Sequence, residues 1–340
     1  MTPINELQIR QLFLKALQAR EPLMDQAHRS AFRVFNGFYE GIEGLVADLY
    51  GSTLVLFDYA ESEPDSLLNT QTARDVLLEV LPWIRCVIIK RHRADDASNR
   101  QGEICFGSQP AQVIEEAGVQ YAVDLLLNQD ASFYLDTRNL RAWIMQNCGG
   151  RKVLNTFAYT GSLGIAALAG GASRVLQMDR SRKFLEQSHR SLKLNNFDPG
   201  RMKLQAVDFF VGVGQLKRQG MLFDMVILDP PFFSISEKGL VDQTNNSTRL
   251  INKVRPLVKD GGRIVAINNS LFLEGSAYLK SLEELTQDGF VEIEELLPIP
   301  EDITGYSHTI HNLPVVDPSP FNHPTKIAIL RIKRKNQDKQ

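Results

Sequence analysis

Between Lys152 and Asp179 the chain changes its hydrophobic period twice within 28 residues. Lys152–Asn155 is a short apolar run, which predicts a buried strand. Thr156–Gly164 is rich in Thr, Ser and Gly and predicts a tight loop. Gly164–Ala169 is Ala/Leu-rich and predicts a short helix that Gly170-Gly171 stops. Val175–Met178 is a second strand, and Asp179 stands at its carboxyl end. A β-loop-α-β unit with an acid at the tip of its second strand suits a nucleoside, because a carboxylate there can accept both ribose hydroxyl protons. The dinucleotide pattern G-x-G-x-x-G and the phosphate-loop G-K-[ST] are both missing. Few glycines and the bulky Phe157 and Tyr159 suit a nucleoside without a pyrophosphate, of which S-adenosylmethionine is the commonest cofactor. An ordinary βαβ crossover with a surface Asp would give the same local pattern.

The same alternation continues downstream. Ser181–Asn196 predicts a helix with a Ser cap. Strands follow at Met202–Ala206, Phe223–Leu228 and Gly262–Ile267, with a helix over Thr244–Val258, a further helix to Asp288 and two terminal strands, Val291–Leu297 and Ile327–Ile332. This rhythm predicts an α/β fold with a doubly wound, mostly parallel sheet. Asn155, Asp179, Asp208, Asp229 and Asn268 all fall at or just past strand carboxyl ends, where open sheets bind ligands.

Upstream the pattern differs. Ile4–Ala27 reads as an amphipathic helix with Arg10, Lys15 and Arg20 on a polar face, either solvated or touching phosphate. Arg33–Phe35, Leu45–Leu49, Thr53–Tyr59, Cys86–Lys90 and Gly102–Phe106 read as strands and Thr72–Leu81 as a helix. Lys90-Arg91-His92-Arg93 is a charged hairpin loop or an RNA-contact loop. The expected organisation is a terminal helix over 1–30, a smaller α+β domain over 31–130 with a possible substrate-binding role, and a catalytic domain over 131–340. A polar hinge at Asn128–Ala131 marks the boundary.

Composition narrows the function. The 340 residues carry a net charge of −2, so any nucleic-acid contact must use a local basic patch. Three Cys without paired spacing argue against a disulfide framework and a zinc knuckle, and reduced thiols fit the cytoplasm. No apolar run is long enough for a bilayer. The long segment 302–324 carries His308, His311 and His323 with no standard metal spacing; no metal is expected.

Asp229-Pro230-Pro231-Phe232 supplies the candidate chemistry. Neither proline nitrogen carries a donor, so the Asp carboxylate and the Pro230 carbonyl are acceptors on a rigid turn. Together they can hold the two hydrogens of an amino group and turn its lone pair towards an electrophile. Phe232 or Phe233 can stack on a planar base.

These motifs carry a resemblance: F-Y-L-D-T-R before strand one, N-T-F-A-Y-T-G, M-D at strand two, V-D-F-F after strand three and D-P-P-F after strand four. The sequence resembles class I S-adenosylmethionine-dependent methyltransferases, within them the large-subunit (23S) ribosomal RNA methyltransferases. G-F-Y-E-G-I-E-G-L-V-A-D-L-Y-G resembles that family's central domain, so the likeness runs from Phe32 to Lys335. It implies a Rossmann-like sheet of seven strands, the last antiparallel. It implies S-adenosyl-L-methionine as cofactor and S-adenosyl-L-homocysteine as product, with ribosomal RNA as partner to a monomer or homodimer. By that resemblance Tyr134 and Arg138 close the cofactor pocket. Asn155, Phe157, Tyr159, Thr160 and Gly161 line its amino-acid end, and Asp179 takes the ribose. Asp208 takes the adenine amino group with Phe209 against the ring. Asp229, Pro230 and Phe232 face methyl and target.

Three features depart from that family. Only the Ile4–Ala27 helix precedes the small domain, where members often carry an RNA-binding barrel. Asp130-Ala131-Ser132 stands where K-T-G is common. Asn268-Asn269-Ser270 follows strand five, where members that methylate cytosine carbon 5 often place a Cys nucleophile. The expected target is therefore an amino or ring nitrogen of a base. A 5-methylcytosine enzyme and a small-molecule or protein N-methyltransferase are the alternatives.

Overall fold

The computed structural model describes residues 5–60, 63–92, 100–236 and 239–334. The chain divides into two compact units, Met1–Asp136 with Pro300–Pro314, and Thr137–Ile299 with Val315–Gln340.

In the first unit, α1 (Glu6–Arg20) opens with a capping box between Asn5 and Gln8. It is shorter than its apolar pattern suggests, because Pro22 cannot continue the hydrogen-bond ladder and a 3₁₀ turn over Glu21–Leu23 follows. The sheet runs β1 (Ala31–Asn36), β2 (Leu45–Tyr50), β3 (Thr53–Asp58), β4 (Cys86–Arg91) and β5 (Glu103–Phe106), in that spatial order. A helix over Glu63–Val80 makes the parallel β3–β4 crossover. Ile9, Phe13 and Leu17 join Ala73, Val76 and Leu77 over Ala47, Leu49, Leu54 and Leu56 in one core. A small hairpin, β6 (Val113–Glu116) with β7 (Val119–Ala122), resolves the loosely alternating stretch.

The polar face expected on α1 is largely engaged. Arg20 is fully buried; its guanidinium donates to Glu40 at 3.0 and 2.9 Å and to the Asp302 carbonyl at 2.8 Å. Arg10 pairs with Glu79. The basic cluster is partly internal, with Arg91 half-buried and paired with exposed Glu103. Lys90 is fully buried and donates to the carbonyls of Asn128, at 2.7 Å, and Gln101. His92 stacks on Tyr59 with centroids 4.2 Å apart. Arg93 lies outside the described residues, as does Lys335 at the end of the family likeness.

The second unit starts with a helix over Arg138–Asn147 and alternates β8 (Lys152–Thr156), a helix over Ser162–Ala169, β9 (Arg174–Asp179), a helix over Arg182–Leu194, β10 (Met202–Ala206), a helix over Phe209–Arg218 and β11 (Phe223–Leu228). A hairpin follows, β12 (Phe233–Ser236) with β13 (Gly239–Asp242), then β14 (Val258–Asn268), β15 (Val291–Leu297) and β16 (Lys326–Ile332). The sheet order is β10-β9-β8-β11-β14-β16-β15. β16 is antiparallel to both of its neighbours, β14 and β15, so the last strand runs against the sheet. The central strands are near-continuous apolar runs, Met225–Leu228 and Ile264–Ile267, because both of their faces are covered. Strand order reverses between β8 and β11, and open sheets bind ligands at the strand carboxyl ends beside such a reversal.

The helix expected over Thr72–Leu81 begins earlier, at Glu63, and two further features past Asp229 differ from the sequence reading. The helix after β13 spans only Ser247–Val254, and Pro256 diverts the chain into a 3₁₀ turn before β14 starts at Val258. The β12–β13 hairpin falls in a stretch read only as following the Asp-Pro-Pro-Phe turn. Its sequence carries no Asn-Gly or Asp-Gly turn signal.

Candidate active site

The loop after β8 takes an unusual path. Phe157, Tyr159 and Gly161 all have positive φ, at 54°, 51° and 81°. For a residue with a β-carbon the left-handed conformation costs about 1–2 kcal/mol, so the surroundings must hold it. Asp179 does so: its Oδ2 accepts the Tyr159 N–H and its Oδ1 the Ser181 N–H, both at 2.8 Å. The Ala158 N–H donates to the Met178 carbonyl at 2.9 Å. A carboxylate is thus clamped by two backbone donors at the end of β9, with the loop arched beside it.

The glycines of this loop serve packing. A β-carbon at Gly161 would lie 2.4 Å from Ser188 Oγ and one at Gly164 2.3 Å from Gln177 Nε2. Gln177, fully buried, donates from Nε2 to Ser188 Oγ and to the Gly161 carbonyl, and its Oε1 accepts from Asn155 Nδ2 at 2.8 Å. Asn155 is 1% exposed, so its amide serves this buried layer. Its Oδ1 has no partner, leaving one buried acceptor behind the loop. Gln177 and Ser188 escaped the sequence reading; nothing in a strand or helix pattern marks a buried amide.

Asp208 caps the helix Phe209–Arg218, its Oδ1 accepting from the Phe210 and Val211 N–H groups. Phe209 is buried and stacks on Phe157 with centroids 4.5 Å apart. Tyr159 turns its ring edge-on to Phe184. Thr160 is buried in the same loop, and Arg138 is half-buried at the start of its helix. Tyr134 belongs to the first unit, where its hydroxyl donates to Asp130 at 3.0 Å.

The second half of the site sits past β11 and β14. Asp229 is half-buried, and its Oδ1 accepts from Asn269 Nδ2 at 3.1 Å. The Pro230 carbonyl accepts from Gln243 Nε2. Gln243 is fully buried; its Oε1 accepts the Asn269 N–H at 2.7 Å and its carbonyl accepts Asn268 Nδ2 at 2.9 Å. Thr244 and Ser270 share a hydroxyl hydrogen bond of 2.9 Å. Lys326, fully buried on β16, donates to the Ser270 carbonyl at 2.9 Å and to the Pro324 carbonyl. Burial pushes its amine down to about 8. Phe232 and Phe233 stand about half exposed, and the hairpin beyond them also exposes Ile235. Neither Gln243 nor Lys326 was singled out in the sequence.

No thiol in the described residues is built to attack. Cys148 is buried with its Sγ 3.8 Å from Met225 Sδ, and burial pushes the thiol up to about 12. Burial pushes Cys86 up to about 11 and Cys105 in the same direction. The described residues contain no cluster of His, Cys, Asp or Glu suited to a metal ion. None of the helices they form is long and apolar enough to cross a membrane.

A family model described as S-adenosylmethionine-dependent methyltransferase matches residues 29–303. The Bacillus subtilis protein YwbD, provisionally named a ribosomal RNA large subunit methyltransferase, is 30% identical over 300 residues, 85% of this chain and 72% of its own length. Ribosomal RNA large subunit methyltransferase I of Aeromonas salmonicida is 30% identical over 276 residues, 80% of this chain and 69% of that one. A crystal structure provisionally described as a methyltransferase, complexed with SAH, superposes with a TM-score of 0.83 at 21% identity, covering 98% of this chain and 83% of its own. That likeness concerns the fold.

Proposed function

The chain belongs to the S-adenosylmethionine-dependent methyltransferase family, and on that premise we propose that it methylates a base nitrogen in large-subunit ribosomal RNA, in the cytoplasm. The RNA part of this reading rests on what the similar proteins are named for. The observation that carries the nitrogen part is the pair of acceptors at Asp229 and Pro230, each oriented by a side-chain amide.

The residues present fit the cofactor. Asp179 offers a clamped carboxylate for the ribose hydroxyls, and Phe209 beside Asp208 suits the adenine end, its ring stacked on Phe157 of the loop that lines the amino-acid end. Asn155, buried behind the loop with its amide on Gln177, supports the amino-acid end from beneath. Tyr159, Thr160 and Gly161 shape the loop, and Arg138 stands at the start of the helix that leads into β8. When bound, S-adenosylmethionine supplies an electrophilic methyl on a sulfonium.

The chain's own work is then alignment. Asp229 Oδ and the Pro230 carbonyl accept the hydrogens of the target amino group, which points its lone pair at the methyl carbon. The Pro230 carbonyl has a second lone pair beside the one that Gln243 uses, and a carboxylate offers about four acceptor positions. With the cofactor bound, its sulfur would keep the C–S electron pair as the methyl passes to nitrogen, and Asp229 would take the extra proton from that nitrogen and release it to solvent. A near-attack separation of about 3–3.5 Å is what such holding must achieve. Phe232, exposed beside the turn, can stack on a base turned out of its helix. Nitrogen is favoured over carbon 5 because carbon-5 methylation of cytosine needs a thiolate, and all three cysteines have raised thiol pKa values.

Nucleoside mass spectrometry of ribosomal RNA from strains with and without this protein tests the reading. The expected result is loss of one N-methylated base from large-subunit RNA. Loss of 5-methylcytidine instead, or no change, overturns it.

A further inference from the structure

Four groups in the second unit close a ring. Asp229 is bonded to Pro230, whose carbonyl accepts from Gln243 Nε2. Gln243 Oε1 accepts the Asn269 N–H, and Asn269 Nδ2 donates back to Asp229 Oδ1. Two further bonds lock Gln243 itself: its N–H donates to the Phe232 carbonyl at 3.1 Å and its carbonyl accepts from Asn268 Nδ2. The orientation of the glutamine amide is dictated by its partners. A proline carbonyl can only accept and a backbone N–H can only donate, so nitrogen must face Pro230 and oxygen must face Asn269. Among side chains of this length, an amide offers a donor at one end and an acceptor at the other at any working pH, whereas a carboxyl does so only when protonated. The ring also ties the carboxyl end of β11 to that of β14, through a residue that neither strand contains.

We propose that Gln243 is a positioning residue for methyl transfer: acting through Pro230 and Asn269, it aims the two acceptors that hold the target nitrogen. This rests on the function proposed above. Gln243 is fully buried, so it reaches substrate only through those neighbours. A carbonyl swung by about 1 Å would misalign the nucleophile, a change able to cost about 10²-fold in rate. Cofactor contacts at Asp179 and the 157–161 loop lie on other strands and should be untouched.

The test uses the full chain, S-adenosylmethionine with a labelled methyl, and large-subunit ribosomal RNA isolated from a strain lacking the protein. Gln243→Met removes both amide bonds at similar volume. It should lower kcat at saturating RNA by about 10²-fold, with S-adenosylhomocysteine affinity by calorimetry within threefold of wild type. Gln243→Glu adds a readout that a purely structural role would not move. A protonated carboxyl again offers one donor and one acceptor, whereas the ionised form cannot donate to Pro230. The ratio of variant to wild-type kcat should therefore rise as pH falls from 8 to 6. A Gln243→Met protein that keeps kcat within threefold overturns the inference, as does a loss that only follows cofactor affinity. Should Gln243→Met fail to fold, the Gln243→Glu ratio decides, and a flat ratio overturns the inference. A wild type that transfers no methyl to this RNA sinks the proposed function and this inference with it. An active wild type beside an unaffected variant sinks the inference alone.

Discussion

Replacing Asp179 with alanine should weaken cofactor binding by more than one lost contact. In the protein alone this carboxylate already accepts two backbone N–H groups at 2.8 Å, from Tyr159 and Ser181. A hydrogen bond to a charged group is worth about 1.5–3 kcal/mol. The bond to Tyr159 is therefore of the same size as the strain it opposes, since Phe157 and Tyr159 each sit at positive φ at about 1–2 kcal/mol. Without it the loop has a net reason to relax, so the pocket must be rebuilt on binding. The ribose loses its charged acceptor as well, for another 1.5–3 kcal/mol or so. Together the loss should reach about 3–4 kcal/mol, roughly 10²- to 10³-fold in Kd. Asp179→Asn retains one acceptor oxygen and should lose about half of that. Isothermal calorimetry with S-adenosylhomocysteine reads the affinity, and a thermal melt checks that the fold persists. An Asp179→Ala protein that melts normally and binds within threefold of wild type would refute both the loop argument and the ribose assignment.

Two further outcomes follow from buried charge. The Lys326 amine is held near 8 in the folded protein against about 10.5 when exposed, so between those pH values the unfolded chain binds more protons and stability from this group rises with pH. That contribution is complete above about 10.5 and is lost as pH falls through about 8; urea unfolding of Lys326→Met against wild type at pH 7.5 and 10 should show the wild type gaining more on alkalinisation, and parallel curves would count against it. In the first unit, Glu40→Gln leaves the Arg20 guanidinium buried without its charge partner and should cost about 3–5 kcal/mol, whereas replacing both with apolar residues should cost markedly less. Equal losses in the single and double variants would argue that the pair does not act as a unit.

The sequence alone determined the parts of this protein that depend on neighbours along the chain. Apolar runs of strand length, separated by helical periods, imply the doubly wound sheet, and acids directly after those runs lie on its ligand edge because strand ends are local. Asp179, Asp208 and Asp229 could be picked out for that reason. Tertiary structure decided what each polar group is paired with. Arg20 and Lys90 read as surface charge, yet both are fully buried, Arg20 against Glu40 and the Asp302 carbonyl and Lys90 against the carbonyls of Gln101 and Asn128. Asn155 sits at a strand end as its pattern says, but its amide faces Gln177, a partner on the adjacent strand. Gln243 follows an ordinary short hairpin and carries no motif, and it matters only because β11 and β14 lie side by side. Hydrophobic period reports which face a residue occupies. Whether a buried donor meets an acceptor depends on strand order and register, which bring together groups 26 or 282 positions apart.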